Sequence, residues 1–164
     1  MRKRPELSLR SRALQYLARR EYSRAELAAK LRPYAQVEDD FEQLQPVDMD
    51  VLLDGLVASG YLSDERATTQ LLHARRPRFG TQRITHEMRQ KGLSEELIEQ
   101  ALPALKDSEL ETARDVWQRK FGSHPYDPHD AKARARQMRF LQSRGFSLDV
   151  VFKVLKNTVP EDEE

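Results

Sequence analysis

The chain contains no cysteine, which excludes disulfides, thiolate zinc sites and a cysteine nucleophile. Its six glycines are scattered, and none builds the glycine-rich loop that cradles phosphate in nucleotide-binding folds. No run approaches the roughly 18 apolar residues of a membrane span. No apolar stretch follows Met1-Arg2-Lys3-Arg4 as a signal peptide would require. No segment alternates convincingly with period two, so strands are not expected. These absences lead to the expectation of a soluble cytoplasmic protein without membrane contact, cofactor or metal, and without enzymatic activity.

What remains is a very polar chain of ordinary single-domain length. Of 164 residues, 38% are hydrophobic and 34% charged, with a formal net charge of only +1. The apolar residues recur at helical spacing. Leu9, Ala13, Tyr16 and Leu17 stand at i, i+4, i+7 and i+8, and Leu110, Ala113, Trp117 and Phe121 line up similarly. Ser23-Arg24-Ala25-Glu26 and Ser108-Glu109-Leu110-Glu111 read as capping boxes. Ser94 and Ser147 read as N-caps, and Asp127-Pro128 as a cap followed by proline at the first helical position. Gly92 and Gly145 stand where helices would end in the left-handed conformation. The expected class is all-α.

The same glycines mark a repeat. Lys91-Gly92-Leu93-Ser94 precedes Leu97, Ile98, Ala101 and Leu102; Arg144-Gly145-Phe146-Ser147 precedes Val150, Val151, Val154 and Leu155 at the same offsets. Phe79-Gly80 and Phe121-Gly122 close earlier helices, and Tyr22-Ser23 stands in the place of Phe-Gly in a fainter first copy. The reading is three tandem three-helix repeats, 8–59, 60–105 and 106–157, in an elongated array, followed by a disordered acidic tail, 158–164. Helices are expected near 8–20, 23–32 and 47–59, near 64–75, 81–91 and 95–102, and near 109–121, 128–144 and 148–157. Tyr34 to Pro46 is expected to be a long loop.

Charge follows the repeat. Residues 1–32 carry ten basic and three acidic side chains, and 33–65 none and nine; 66–92 carry seven and one, and 93–115 two and seven. Residues 116–145 carry seven and two, and 146–164 two and five. First and second helices are therefore basic, and the third helix of each repeat together with the link beyond it is acidic. If repeats stack regularly, a basic and an acidic stripe run along the molecule. Either the basic stripe lies along a polyanion or an anionic groove, or the alternation keeps small helical units soluble and pairs them with each other. Composition leaves both open.

Other chemistry is poorly supported. His73, His86, His124 and His129 include one pair, His124 and His129, with the plainer reading of surface imidazoles in a loop. Asp39-Asp40 and Glu95-Glu96 suit a linker and a helix first turn. Asp48, Asp50 and Asp54 share part of a helix face but lack a further oxygen ligand. Trp117, Phe121 and Tyr126, beside Arg119 and Lys120, offer a base-stacking platform, though helical spacing sends Trp117 and Phe121 to the core. A helix-turn-helix reader is disfavoured because Asp48, Asp50, Asp54, Glu95, Glu96 and Glu99 make the third helices acidic.

Four stretches, ALQYLARREYSRAELAAKL (13–31), GYLSDERA (60–67), RFGTQRITHEMRQKGLS (78–94) and RFLQSRGFSLDVVFKVL (139–155), resemble the RecX family of bacterial regulatory proteins. The most specific piece is Gly80, Ile84, Glu87, Met88, Lys91 and Gly92. The resemblance implies a curved array of three-helix repeats, acting as a monomer that binds the RecA–DNA filament. It implies inhibition of RecA recombinase, ATPase and coprotease activities, and so a part in homologous recombination, DNA repair and the SOS response. Single- or double-stranded DNA would be touched by nonspecific contacts. Ser63 and Ala67 depart from the family pattern, and 33–46 is longer and more acidic than expected. No catalytic residue is implied.

The candidate contact residues are the basic ones of first and second helices. They are Arg10, Arg12, Arg19, Arg20 and Arg24; then Arg75, Arg76, Arg78, Arg83, Arg89 and Lys91; then Lys132, Arg134, Arg136, Arg139 and Arg144. The arginine fork suits bidentate pairing with carboxylate or phosphate alike. Reversing Arg75, Arg76 and Arg78 to Glu is expected to weaken filament binding and leave helicity intact. The rival reading is a free-standing nonspecific DNA-binding protein acting through phosphate contacts.

Overall fold

The computed structural model describes residues 7–35, 48–123, 127 and 129–156. Among these residues there are eight helices and no strand: α1 (Leu9–Leu17), α2 (Arg24–Ala35), α3 (Met49–Ala58), α4 (Asp64–Arg75), α5 (Thr81–Gln90), α6 (Glu95–Phe121), α7 (Ala131–Ser143) and α8 (Leu148–Lys156). The all-α expectation holds. The loop expected from Tyr34 to Pro46 is corrected at its start, because α2 runs through Pro33 and includes Tyr34 and Ala35; the rest of that loop, the tail from 158, His124 and Tyr126 lie outside the described residues.

Most helix starts follow the capping chemistry read from sequence. Ser23 and Glu26 form a reciprocal box, with the Ser23 N–H donating to Glu26 at 3.0 Å and the Glu26 N–H donating to the Ser23 hydroxyl at 3.1 Å. Ser94 and Ser147 accept from Leu97 N–H and Val150 N–H. Gly92 and Gly145 have φ of 70° and 86°, the left-handed ending expected of them. α7 corrects one cap: its N-cap is Asp130, whose carboxylate accepts from the Lys132 and Ala133 N–H groups. Asp127 instead holds the preceding turn through the His129 N–H. Asp54-Gly55, a dipeptide common in hairpins, sits inside α3.

The larger correction concerns α6. Two helices expected at 95–102 and 109–121 are one helix of 27 residues that runs through Pro103. An interior proline removes a hydrogen bond and costs about 3 kcal/mol. Ile98, Ala101, Leu105, Glu109, Ala113 and Val116 nevertheless form one unbroken buried stripe at spacings of three and four. Fully burying an aliphatic side chain is worth roughly 1.5–3 kcal/mol, so the stripe outweighs the break. Ser108 is consequently no cap; its hydroxyl donates back to the Ala104 carbonyl.

The helices group into two compact units. One holds the described residues up to Gln70 together with Lys91–Leu93, and the other holds Leu71–Gln90 and the described residues from Ser94 onward. The core of the first is Leu9, Ala13, Tyr22, Leu27, Leu31, Leu53, Leu56 and Leu62, with α2 packed against both α1 and α3. In the second, α6 is the central rod, packing against α5, α7 and α8. Its core joins Ala113 and Val116 to Leu141, Phe146, Val150, Val151, Val154 and Leu155. Ile84 and Met88 are buried, which turns the opposite face of α5 outward.

Candidate nucleic-acid and partner interface

The basic residues divide by what holds them. Arg24 is clamped by two carboxylates of α3, Asp54 at 2.7 Å and Asp50 at 3.4 Å. Hydrogen bonding to Asp54, opposed by burial and aided by Asp50, raises its already high pKa. Arg75 makes a bidentate pair with Glu87, at 2.9–3.2 Å. Arg89 does the same with Glu95 at 2.7 and 3.1 Å. Lys91 reaches Glu26 at 2.7 Å, and Arg20 shares that carboxylate at 3.2 Å. Burial alone would raise the Glu26 pKa; hydrogen bonds from Lys91, the Ser23 N–H and Arg20 outweigh it and hold the carboxyl below its usual range. Arg76 is tied to the Ala104 carbonyl and the Ser108 hydroxyl.

A second group rests on aromatic rings. Arg12 lies 3.9 Å from the Tyr34 ring centroid, Arg20 3.6 Å from Tyr22, and Arg10 6.0 Å from Tyr61. Arg83 lies 4.3 Å from Phe79 and donates to the Ser143 carbonyl. Arg144 sits between Phe79 and Phe140, at 5.5 and 5.1 Å. A ring face positions a cation without neutralising it.

A third group is exposed with no side-chain partner among the described residues: Arg19, Arg78, Lys132, Arg134, Arg136 and Arg139. On α7, Lys132, Arg136 and Arg139 stand at i, i+4 and i+7 and share one side, with Arg134 on another. Gln137 and Leu141 face the core.

Both readings of the charge alternation therefore have a structural counterpart. The acidic third helices neutralise Arg24 and Arg89, while α7 keeps its charge. Reversing Arg75 and Arg76 would also break the Glu87 and Ser108 contacts, whereas Arg78 makes no such contact among the described residues, so Arg78 is the site at which charge can be reversed alone. Two members of the aromatic platform go into packing, with Tyr126 outside the described residues: the Trp117 indole N–H donates to Gln137 at 2.9 Å, and Phe121 meets Phe140 edge-on at 5.3 Å. Asp48 caps α3, and Asp50 and Asp54 serve Arg24. Among the described residues no three His, Asp or Glu side chains cluster to hold a metal ion, and no helix is long and apolar enough to cross a membrane.

Arg119 and Lys120, in the last turn of α6, enter the sequence reading only as neighbours of the aromatic platform and not as contact residues. With Arg78 and Arg144 they line a cleft of about 330 Å³ whose other described walls are Val116 and Phe140. The signal was available: two consecutive cations before Phe121-Gly122, at a helix end where cations are favoured. Only the tertiary structure brings Arg78 and Arg144 beside them.

Comparison with known proteins agrees with this architecture. Residues 63–102 match the family model for the second three-helix domain of RecX, and 107–155 match that for the third. The regulatory protein RecX of Leptothrix cholodnii is 48% identical over 93% of this chain and 90% of its own. That of Chromobacterium violaceum is 40% identical over 94% and 93%. The crystal structure of RecX from Lactobacillus salivarius superposes with a TM-score of 0.66 at 17% identity, covering 91% of this chain and 93% of its own. Helical repeats, two compact cores and surfaces rich in arginine define a regulatory protein of the RecX type. The chain belongs to the RecX family.

Proposed function

We propose that this protein binds the RecA–DNA filament in the cytoplasm, as a monomer, and inhibits the recombinase, ATPase and coprotease activities of RecA. Through these it would act in recombination, DNA repair and the SOS response. The observation that supports the reading most directly is the survival of unpaired cations on α7 and at Arg78, in a molecule that neutralises many of its other arginines internally. An outward, un-neutralised charge suits an anionic filament surface and would steer encounter with it. The chain uses no catalytic group in this role; it acts by occupying a surface.

The same carboxylate-free side of α7 favours one alternative, a nonspecific DNA-binding protein acting through phosphates alone. Titrating single-strand-dependent ATP hydrolysis by RecA, at two salt concentrations, separates them. Inhibition well below one molecule per RecA monomer is expected of a filament binder. Unaltered hydrolysis, with tight salt-sensitive binding to bare DNA in the same tubes, would transfer the assignment to the alternative.

A further inference from the structure

We infer that the cleft at the ends of α6 and α7 is a phosphodiester-binding site that holds the backbone of a nucleic-acid strand without reading its bases. This deepens the filament reading by giving its DNA contact a place. Arg78, Arg119, Lys120 and Arg144 converge on it, and among the described residues no carboxylate lines it. The first unit provides the contrast. Its cleft of about 420 Å³ sets Arg24 and Arg66 against Asp64 and Glu65. There Asp64 accepts the backbone N–H of Arg24, whose guanidinium is held by Asp54 and Asp50, and Arg66 is spent on Glu21 and the Gly60 carbonyl. That cleft is self-neutralised; the second is not.

Two of these cations are also presented rather than loose. Arg144 is braced by the rings of Phe79 and Phe140, and Lys120 lies 5.9 Å from Phe140. Bracing by a ring reduces the ordering cost of binding while leaving the N–H donors free. The helix ends add only partial negative charge, enough to favour cations there but not to cancel them. A lone carboxylate brings one charge to four cations, whereas a strand brings successive phosphates, and three of the four cations are arginines with forks that match phosphate oxygens. The Phe79 and Phe140 rings that a base would stack on are already engaged by Arg83, Arg144 and Lys120. The site therefore tracks backbone alone.

The test measures binding of the full chain, without RecA, to fluorescent single-stranded dT oligomers and to abasic oligomers of equal length across a salt series. The variant Arg119→Gln/Lys120→Gln is compared with Lys106→Gln/Arg114→Gln, which removes the same charge from exposed positions elsewhere on α6. Circular dichroism and thermal unfolding check that both fold. The expected result is equal binding of dT and abasic strands. Removing Arg119 and Lys120 should reduce the log–log salt slope by about 1.4, at roughly 0.7 per phosphate contact on single strands, with the slope unchanged for the control pair. Equal slope loss in both variants, a clear preference for dT over abasic strands, or binding of polyglutamate in place of the abasic strand would each overturn the site. RecA inhibition is read separately: slope loss localised to the cleft in a protein that never inhibits RecA would keep the site and remove the filament reading.

Discussion

Glu109 of α6 accepts the backbone N–H of Thr81 at 3.2 Å, and so caps the start of a different helix, α5. Asp64, the first residue of α4, does the same for Arg24 at the start of α2, at 2.7 Å. The two acids hold equivalent places in the sequence repeat. In each case a carboxylate from the next repeat's first helix neutralises the positive end of the preceding second helix. Glu109→Ala leaves a buried donor unpaired and should cost about 1–3 kcal/mol, measured by urea unfolding with Trp117 fluorescence. Glu109→Gln retains an acceptor oxygen and should recover much of that loss.

The backbone contacts beside these caps repeat as well. Gly80 donates its N–H to the Arg144 carbonyl at 2.8 Å, and Gln82 donates to that of Gly145 at 3.2 Å; in the first unit the Ser23 hydroxyl bonds the Lys91 carbonyl. A Cβ at Gly80 would collide with the Gly145 carbonyl, and one at Gly145 with the backbone of Arg83. Gly80→Ala should therefore lose roughly 1–3 kcal/mol or more from overpacking against atoms that cannot yield. Gly60, at φ 79° but with nothing within 4 Å of its Cβ position, supplies the comparison: Gly60→Ala should cost only the left-handed strain, about 1–2 kcal/mol. Denaturation midpoints of the two variants check the order.

Acid should expose the Glu26 cluster. Because the folded carboxyl titrates below its unfolded value, its contribution is intact above the unfolded pKa, about 4.3. It is lost as pH falls through the folded value. Stability of wild type and Glu26→Gln should run parallel from pH 8 to 6 and converge as the pH falls below the unfolded pKa of about 4.3. Urea midpoints at a series of pH values provide the test; a constant gap down to the lowest pH would deny the cluster this role.

Charge reversal on α7 should separate binding from folding. Lys132, Arg136 and Arg139 have no described side-chain partners, so changing all three to Glu should shift stability by about 0.5 kcal/mol or less per site. On the filament reading, RecA ATPase inhibition should weaken at least tenfold. Arg75→Glu should instead lower the melting temperature, because it leaves Glu87 facing a like charge. Thermal unfolding and the ATPase titration, run on the same preparations, would show whether the two effects part in this way.

Much of this was legible in the chain itself, and the reasons are local. Ser23, Glu26 and Ser94 sit at helix starts because side-chain oxygens a fixed few residues from free N–H groups cap them whatever lies around. Gly92 and Gly145 mark left-handed endings because a side chain there costs energy in any context. The misreadings share the opposite cause. The Ser108–Glu111 pattern reads as a helix start, yet the buried stripe from Ile98 to Val116 carries one helix through it and through Pro103. Glu109 looked like part of a local box and is a long-range cap.

By itself the sequence determined the helical class, the repeat, the alternation of charge and the resemblance to RecX, since each depends on residue spacing along one chain. Only the tertiary structure decided which cations keep their charge. Arg24, Arg75 and Arg89 look no different in sequence from Arg78, Arg119 and Arg144. Whether an arginine faces Asp54, Glu87 or Glu95, or instead a phenylalanine ring and open solvent, depends on which helices pack together, and charge in water or beside a carboxylate is a property of that neighbourhood.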